Sequence, residues 1–230
     1  MKRCLKLDVQ YNLEKINEKI EAHCKKGNIT TKPDVIAVTK YVTIDRANDA
    51  YNAGIRHFGE NRLEGFQQKK VALPDDVVMH FIGSLQTRKV KDVINEIDYF
   101  HALDRLKLAK EINKRAEHKI KCFVQVNVSG ESSKQGVSLS EVETFIKELK
   151  QYENIEIIGL MTMAPLIDDE SYIKRLFQLL KLKRDEIKAL NLNYAPCTEL
   201  SMGMSNDFHL AAEEGASFVR IGTKLVGKEE

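Results

Sequence analysis

Apolar and polar positions follow two different periods along the chain, and these periods predict helices and strands in turn. Residues 5–25 carry apolar side chains three and four positions apart among Glu, Lys and Asn, which is typical of an amphipathic helix. Gly27 marks its expected end. Residues 34–39 then form a short apolar run that is rich in β-branched residues and too short for a buried helix. We predict the first strand there.

Seven further short apolar runs follow, with helical periodicity between them. They are residues 56–58, 77–82, 99–101, 122–128, 155–160, 196–200 and 217–221. Thr43, Asp104 and Ser140 are candidate N-caps of the intervening helices. About eight strands that alternate with helices predict a parallel α/β sheet closed into a TIM-type (β/α)8 barrel, with an extra N-terminal helix. An open doubly wound sheet is the alternative.

Composition and charge place the chain among ordinary globular proteins. Hydrophobic residues make up 43% and charged residues 30%, and 36 basic against 34 acidic residues leave a net charge of +2. This balance argues against nucleic-acid and anionic-membrane partners. No linker or low-complexity segment interrupts the sequence, so we expect a single domain over residues 1–230, with the helix at about 5–26 and the barrel at about 34–227.

The sequence also indicates where the protein resides. No apolar run is long enough for a signal peptide or a membrane span, which predicts a cytoplasmic location. The four cysteines are widely spaced and form no CxxC pair, so we expect reduced structural thiols. The six histidines show no metal-ligand spacing, and no metal site is predicted.

Lys40 is the first candidate for chemistry. In a barrel, the residues just past the C-terminal end of each strand converge on one mouth, where ligands bind. Lys40 closes the first predicted strand, and a lysine at the end of a buried strand is expected to be desolvated, which frees its amine to attack aldehydes. The simpler alternative is a lysine whose head extends to solvent from the strand end.

Phosphate-binding features follow the last two predicted strands. Residues 201–205 read Ser-Met-Gly-Met-Ser before a helix, and residues 220–223 read Arg-Ile-Gly-Thr at the close of the last strand. Backbone N–H groups at glycine-containing loops and nearby hydroxyls can hold an anion, and TIM barrels commonly place such a site after strands seven and eight. A phosphate site at the same mouth as Lys40 favours the reactive-lysine interpretation.

Six segments, read in order, resemble one known family. They are residues 37–40 (Ala-Val-Thr-Lys), 57–61 (His-Phe-Gly-Glu-Asn), 80–86 (His-Phe-Ile-Gly-Ser-Leu-Gln), 159–163 (Gly-Leu-Met-Thr-Met), 199–205 (Glu-Leu-Ser-Met-Gly-Met-Ser) and 219–223 (Val-Arg-Ile-Gly-Thr). Together they resemble the pyridoxal phosphate homeostasis proteins, the YggS/PROSC family, from about residue 30 to residue 227. The resemblance implies the N-terminal barrel of alanine racemase and pyridoxal 5'-phosphate (PLP) as cofactor.

The resemblance also implies roles for residues of this sequence. Lys40 would hold PLP as a Schiff base. The other implied cofactor-binding residues are Ser201, Gly222 and Thr223 at the phosphate, Arg220 at the pyridine nitrogen, Asn61, His80 and Met163 around the ring, and Met202. From the residues alone, His57 is expected to be a packed, hydrogen-bonded histidine.

A cation at the pyridine nitrogen bears on the expected activity. A permanently charged Arg220 disfavours protonation of that nitrogen, which makes the ring a poorer electron sink. Alanine racemase has the same contact but adds a tyrosine base from a second domain, for which a chain that ends at Glu230 has no room. We therefore expect a monomer that binds, buffers and supplies PLP to apoenzymes without significant catalysis. Slow amino-acid racemisation is the alternative.

Two further lysine-containing features have competing interpretations. Lys134 lies in the loop of residues 129–136, which should reach the barrel mouth, so it is a candidate second acceptor of PLP; the simpler interpretation is a solvated loop lysine. The basic runs at residues 88–91 and 181–184 suggest RNA binding, but neither contains interleaved aromatic residues. Solvated helix faces explain both runs.

Overall fold

A computed structural model describes residues 8–131 and 134–229, and its first element is the predicted N-terminal helix. Helix α1 (Val9–Lys26) begins where the side chain of Asp8 accepts a hydrogen bond from the backbone N–H of Tyr11 at 3.2 Å. Its buried positions are three and four residues apart: Val9, Leu13, Ile16, Ile20 and Cys24. Residues 5–7, which were predicted to belong to this helix, lie outside the described residues.

The strands form a closed parallel barrel. They are β1 (Asp34–Val38), β2 (His57–Glu60), β3 (Val78–Phe81), β4 (Tyr99–Leu103), β5 (Ile120–Asn127), β6 (Val137–Ser138), β7 (Ile155–Met161), β8 (Glu199–Met204) and β9 (Phe218–Ile221). Their order is β4-β3-β2-β1-β9-β8-β7-β5, and β4 also pairs with β5. That last pairing closes eight strands, which confirms the TIM-type barrel and excludes the open sheet. The short β6 pairs only with β5.

Helices follow most of the strands. They are α2 (Ile44–Asn52), α3 (Leu63–Ala72), α4 (Leu106–Arg115), α5 (Val142–Glu148), α6 (Glu170–Ala189), α7 (Phe208–Glu213) and α8 (Thr223–Val226), with 3-10 turns at Thr87–Asp92 and Leu149–Gln151. Within the two described ranges, none of these helices combines the length and apolar character needed to cross a lipid bilayer.

One of the three predicted N-caps is confirmed and two are wrong. The hydroxyl of Thr43 accepts from the backbone N–H of Arg46 and starts α2. Helix α4 starts after Arg105, because the carboxylate of Asp104 binds the guanidinium of Arg105 at 2.6 Å instead of a backbone donor. The hydroxyl of Ser140 lies 3.1 Å from that of Ser138 and makes no cap for α5.

Aromatic rings fill the barrel interior. The ring of Phe218 on β9 lies 5.5, 5.7 and 5.9 Å from the rings of His80, Tyr99 and Phe123. Their strands, β3, β4 and β5, are not neighbours of β9 in the sheet, so these contacts cross the interior. His101 stacks on Phe123 with 4.4 Å between ring centroids. The interior is therefore a packed core in which imidazoles and apolar rings alternate.

The described cysteines lie inside the fold. Cys24 on α1, Cys122 on β5 and Cys197 ahead of β8 are buried free thiols. Cys4 lies outside the described residues. Burial raises the pKa of all three thiols, that of Cys197 to about 12. These properties agree with the structural role that was predicted for them.

Candidate functional site

A cavity of about 620 Å³ lies at the C-terminal ends of the barrel strands. It is the mouth at which TIM barrels bind their ligands. Six of the nine predicted cofactor-binding residues line it: Lys40, Asn61, Met163, Arg220, Gly222 and Thr223. The fold therefore brings together side chains that are up to 183 residues apart in sequence, from Lys40 to Thr223.

Lys40 lies in the turn that follows β1, and its side chain faces the cavity. Its Nζ is 4.9 Å from the ring centroid of Tyr41, which also lines the cavity. Lys40 is exposed, so the predicted desolvation is wrong. The reason is geometric: burial ends at Thr39, one residue past β1, and the amine of the next residue reaches the open mouth.

A buried ion pair fixes the backbone beside Lys40. Thr39 is fully buried, and its hydroxyl donates to Oε1 of Glu60 at 2.5 Å. The same carboxylate oxygen lies 3.1 Å from Nζ of Lys69 on α3. Lys40 directly follows Thr39, and Asn61 directly follows Glu60; both Lys40 and Asn61 line the cavity. The bond between Thr39 and Glu60 therefore ties together the two strand ends that carry these cavity residues.

Two hydroxyls and a glycine amide meet on one side of the cavity. Oγ of Ser205 accepts from the backbone N–H of Gly222 at 3.3 Å and lies 3.4 Å from Oγ1 of Thr223. Gly203 brings Ser205 to this position, because its φ of +87° bends the chain near the end of β8. A larger residue would not fit there, since a Cβ on Gly203 would lie 2.6 Å from the Cβ of Ala211. Hydroxyls and amides grouped in this way suit a phosphate.

Three predicted cofactor-binding residues do not line the cavity: His80, Ser201 and Met202. Side chains alternate along a strand, and Ser201 points into the barrel while Met202 is fully buried in the core. The predicted phosphate contact of Ser201 is not supported by this position, whereas Ser205 lies at the cavity. His80 is fully buried beneath the mouth and does not form its edge.

Arg220 lies at the floor of the cavity and is 4% exposed. Its Nη1 donates to Oγ of Ser201 at 2.5 Å, and its Nη2 donates to the carbonyl of Thr162 at 2.7 Å. Burial lowers the pKa of Arg220 to about 10, against the opposing influence of the Asp207 carboxylate. The guanidinium therefore stays cationic at neutral pH, and two fixed acceptors set its orientation.

A line of imidazoles continues from Ser201 into the barrel. Oγ of Ser201 lies 2.9 Å from Nδ1 of His101, Nε2 of His101 lies 2.8 Å from Nδ1 of His80, and Nε2 of His80 lies 2.9 Å from Nδ1 of His57. Burial lowers the pKa values of His80 and His101 well below that of an ordinary histidine, and the neighbouring imidazoles lower both pKa values further. Both rings are therefore neutral at neutral pH.

Lys134 lies beside the mouth but does not line the cavity. Its Nζ is paired with Oε1 of Glu131 at 2.7 Å and lies 3.5 Å from Oγ of Ser129. The neighbouring Gln135 contacts the site instead. Its side-chain oxygen accepts from the hydroxyl of Ser84, and its backbone carbonyl accepts from the side-chain amide of Gln125 at 3.2 Å. Both Ser84 and Gln125 line the cavity.

Tyr41, Ser205 and Asp207 are among the cavity residues to which sequence reasoning assigned no individual role, although Ser205 closes the segment predicted to hold an anion. Asp207 accepts from the backbone N–H of Met204 at 2.5 Å and closes the turn that presents Ser205. Burial raises the pKa of Asp207, and the Met204 amide and Arg220 oppose that effect. The glycine within the Ser-Met-Gly-Met-Ser segment was the available signal, since a bend there moves the second serine toward the mouth.

The comparisons with known proteins agree on one family. Residues 9–230 match the family model described as alanine racemase, N-terminal domain. A pyridoxal phosphate homeostasis protein of Aquifex aeolicus is 37% identical, over 95% of this chain and 97% of its own length. A pyridoxal phosphate homeostasis protein of Schizosaccharomyces pombe is 36% identical, over 84% of this chain and 83% of its own length.

Solved structures extend the comparison to the fold. PipY of Synechococcus elongatus, solved with PLP bound, has a TM-score of 0.81 at 29% identity, covering 95% of this chain and 100% of its own. Alanine racemase of Corynebacterium glutamicum has a TM-score of 0.74 at 15% identity over 96% of this chain and 61% of its own, which shows the shared fold. The chain therefore belongs to the alanine racemase N-terminal domain family, and within it to the pyridoxal phosphate homeostasis proteins.

Proposed function

We propose that this protein binds PLP at Lys40 and serves intracellular PLP homeostasis. The observation that carries the proposal is that a lysine amine, two hydroxyls beside a glycine-containing turn and a buried guanidinium line one cavity. In this arrangement Lys40 meets the aldehyde, Ser205, Gly222 and Thr223 hold the phosphate, and Arg220 faces the pyridine nitrogen. PipY, 29% identical, supports the proposal because its structure has PLP bound.

The residues present fit this cofactor. Oδ1 of Asn61 is buried at the cavity and has no hydrogen-bond partner among the described residues, so a ligand can satisfy it. A Cβ on Gly222 would lie 3.3 Å from the carbonyl oxygen of Val38, so glycine lets this turn approach β1 without a tight contact. Met163 and Tyr41 supply exposed apolar surface at the cavity, against which a flat ring can pack.

The cofactor supplies an aldehyde, with which the amine of Lys40 condenses with loss of water. Arg220 stays cationic and therefore disfavours a second positive charge on the ring nitrogen. The bound ring then withdraws electrons weakly, which favours carriage of the cofactor over turnover. We infer that the protein binds, buffers and supplies PLP to apoenzymes as a monomer. The names of its relatives support this role, and the racemase-like fold makes slow racemisation the second candidate.

The first prediction concerns Lys40. Added PLP should give an absorbance band near the visible edge, and borohydride should fix the cofactor irreversibly on the peptide that contains Lys40. Lys40→Ala should abolish both results, whereas Lys134→Ala is the matched control because Lys134 lies beside the mouth without lining the cavity. Absorbance spectra and peptide mass spectrometry are the measurements. A label spread over surface lysines, or an unchanged band in Lys40→Ala, would remove the proposed site.

The same samples separate carriage from turnover. Each is incubated with L-alanine, and D-alanine is measured by chiral chromatography. We expect no more D-alanine from the wild type than from Lys40→Ala. D-alanine that depends on Lys40 would favour the racemase. If Lys134→Ala retains both the stoichiometry of PLP and its rate of transfer to an apoenzyme, a role of Lys134 as second acceptor is excluded.

A further inference from the structure

Four hydrogen bonds form an unbroken line through the barrel interior, from His57 to Arg220. Its members lie on β2, β3 and β4, then across the interior on β8 and β9. Arg220 ends the line at the cavity, and His57 ends it at the opposite side, where its Nε2 lies 3.9 Å from Oδ2 of Asp34. None of the three imidazoles lines the cavity, so a direct contact with the cofactor does not account for them.

The hydrogens in this line can be assigned from one end. Arg220 can only donate, so the hydroxyl of Ser201 accepts from it. Ser201 is fully buried, and its own hydrogen has one further partner within the described residues, Nδ1 of His101. If His101 donated instead, that buried hydrogen would be left without an acceptor, which is energetically unfavourable. Ser201 therefore donates to His101.

Each following ring inherits its direction from the one before. A neutral imidazole has one N–H, so His101 with Nδ1 accepting donates from Nε2 to Nδ1 of His80. His80 donates in the same sense to Nδ1 of His57. His57 then directs its own N–H toward the carboxylate of Asp34. The charges at the two ends agree with this direction of donation, since the chain starts at the cationic Arg220 and ends beside the carboxylate of Asp34.

We propose that His57, His80 and His101 are positioning residues for the PLP site, forming a directed hydrogen-bond chain that holds Ser201 as the acceptor of Arg220. The inference rests on the proposed function, since Arg220 must face the pyridine nitrogen for its orientation to affect the cofactor. Removing the acceptor at His101 lets the hydroxyl of Ser201 turn, which weakens the hold on the guanidinium. The chain thus acts through Arg220 and not by contact.

The direction of the chain can be measured without any cofactor. In the full-length protein labelled with ¹⁵N, nitrogen shifts report which nitrogen of each histidine is protonated, and couplings across hydrogen bonds report which rings are joined. We expect His57, His80 and His101 to carry hydrogen on Nε2 alone, with couplings between Nε2 of His101 and Nδ1 of His80 and between Nε2 of His80 and Nδ1 of His57. Hydrogen on Nδ1 of His80 or His101 would overturn the chain.

The second prediction links the chain to the cofactor. His101→Phe keeps the ring stacked on Phe123 but removes the acceptor, so PLP should bind about three- to tenfold more weakly and the absorbance maximum of bound PLP should shift. His101→Asn places an amide oxygen near the position of Nδ1 and should restore affinity to within about twofold. The exposed His118→Phe is the matched control.

The outcomes separate the two proposals. Unchanged affinity and spectrum in folded His101→Phe, or no restoration by His101→Asn, would refute the positioning role while PLP binding at Lys40 stands. If the wild type bound no PLP at Lys40, the proposed function would fail, and the ¹⁵N assignment would still decide the direction of the chain. If His101→Phe did not fold, His80→Phe, which keeps a ring against Tyr99, replaces it in the same measurement.

Discussion

Glu60 and Lys69 form an ion pair that is almost completely shielded from water. Their side chains are 0% and 5% exposed, and Nζ lies 3.1 Å from Oε1. Oε2 of Glu60 has no hydrogen-bond partner among the described residues, and the contacts of this buried carboxylate with Lys69 and Thr39 both fall on Oε1. Removing the cation would leave a buried charge that, within the described part of the chain, a single threonine hydroxyl compensates.

The third prediction follows from this pair. Lys69→Met should lower the free energy of unfolding by about 3–5 kcal/mol, because it leaves Glu60 uncompensated. Urea denaturation followed by circular dichroism measures the change. The adjacent Lys70→Met, only half-buried, should cost less than about 1 kcal/mol.

A double variant supplies the control for that prediction. Glu60→Gln/Lys69→Met removes both charges and should recover part of the stability that Lys69→Met loses, because the uncompensated carboxylate is then gone. A loss of less than about 1 kcal/mol in Lys69→Met alone would show that the pair contributes no more than an exposed one.

At this scale the sequence predicts some site residues better than others. Lys40, Gly222 and Thr223 lie within two residues of a strand end, and a strand end can be located from an apolar run. Choosing between Ser201 and Ser205 requires the register of β8 and the bend at Gly203, which the apolar pattern does not reveal. The histidine chain likewise depends on strand pairing, so its members appeared in the sequence as separate residues.

Among the elements, three helices meet at one carboxylate. Glu213 on α7 is 3% exposed and lies 2.9 Å from Nδ1 of His23 and 3.1 Å from Nζ of Lys26, both on α1. Lys174 on α6 is paired with the same carboxylate. Burial alone would raise the pKa of Glu213, but hydrogen bonds from Lys174, His23 and Lys26 outweigh it and lower the pKa from 4.5 to about 2.

The fourth prediction is an acid-dependent loss of stability at this junction. The folded pKa lies below the unfolded one, so the contribution of Glu213 is fully present above about pH 4.5 and is lost as the pH falls toward 2. The difference corresponds to about 3 kcal/mol. Urea unfolding of the wild type and Glu213→Gln between pH 6 and pH 2 measures it, since the two curves should converge on acidification. Parallel curves would contradict the assignment.

Element types were predicted more accurately than element boundaries. The run at residues 196–200 was assigned to a strand, yet β8 begins at Glu199. The backbone of Cys197 has a φ of +45°, a left-handed conformation that cannot continue a strand, so pairing starts two residues later. The caps at Asp104 and Ser140 failed for a related reason, because their side chains bind other side chains. Such local competition is invisible to periodicity.

For the whole molecule, closure depends on one pairing between β4 and β5. Tyr99 and Phe100 pair with Lys121 and Cys122, and the register shifts before Leu103 pairs with Val124. The alternation of strands and helices predicted a parallel sheet, and the number of strands favoured a barrel over an open sheet. The pairing itself could not be read from the sequence, because both forms contain the same strands and differ in which edges meet.

The rates at which a thiol reagent modifies the buried cysteines measure how often different parts of this barrel open. A thiolate is the reactive species, and burial disfavours it at Cys24, Cys122 and Cys197, so a thiol reagent should modify each cysteine only after its surroundings open.

The fifth prediction orders those rates in a Cys4→Ser background, followed by peptide mass spectrometry. Cys24 on the outer helix should be labelled before Cys122 on a central strand, because a helix can detach without opening the barrel. Equal rates at both cysteines would mean that helix and barrel open as one cooperative unit. Labelling kinetics at the chain's own cysteines can therefore time the separation of α1 from the barrel under native conditions.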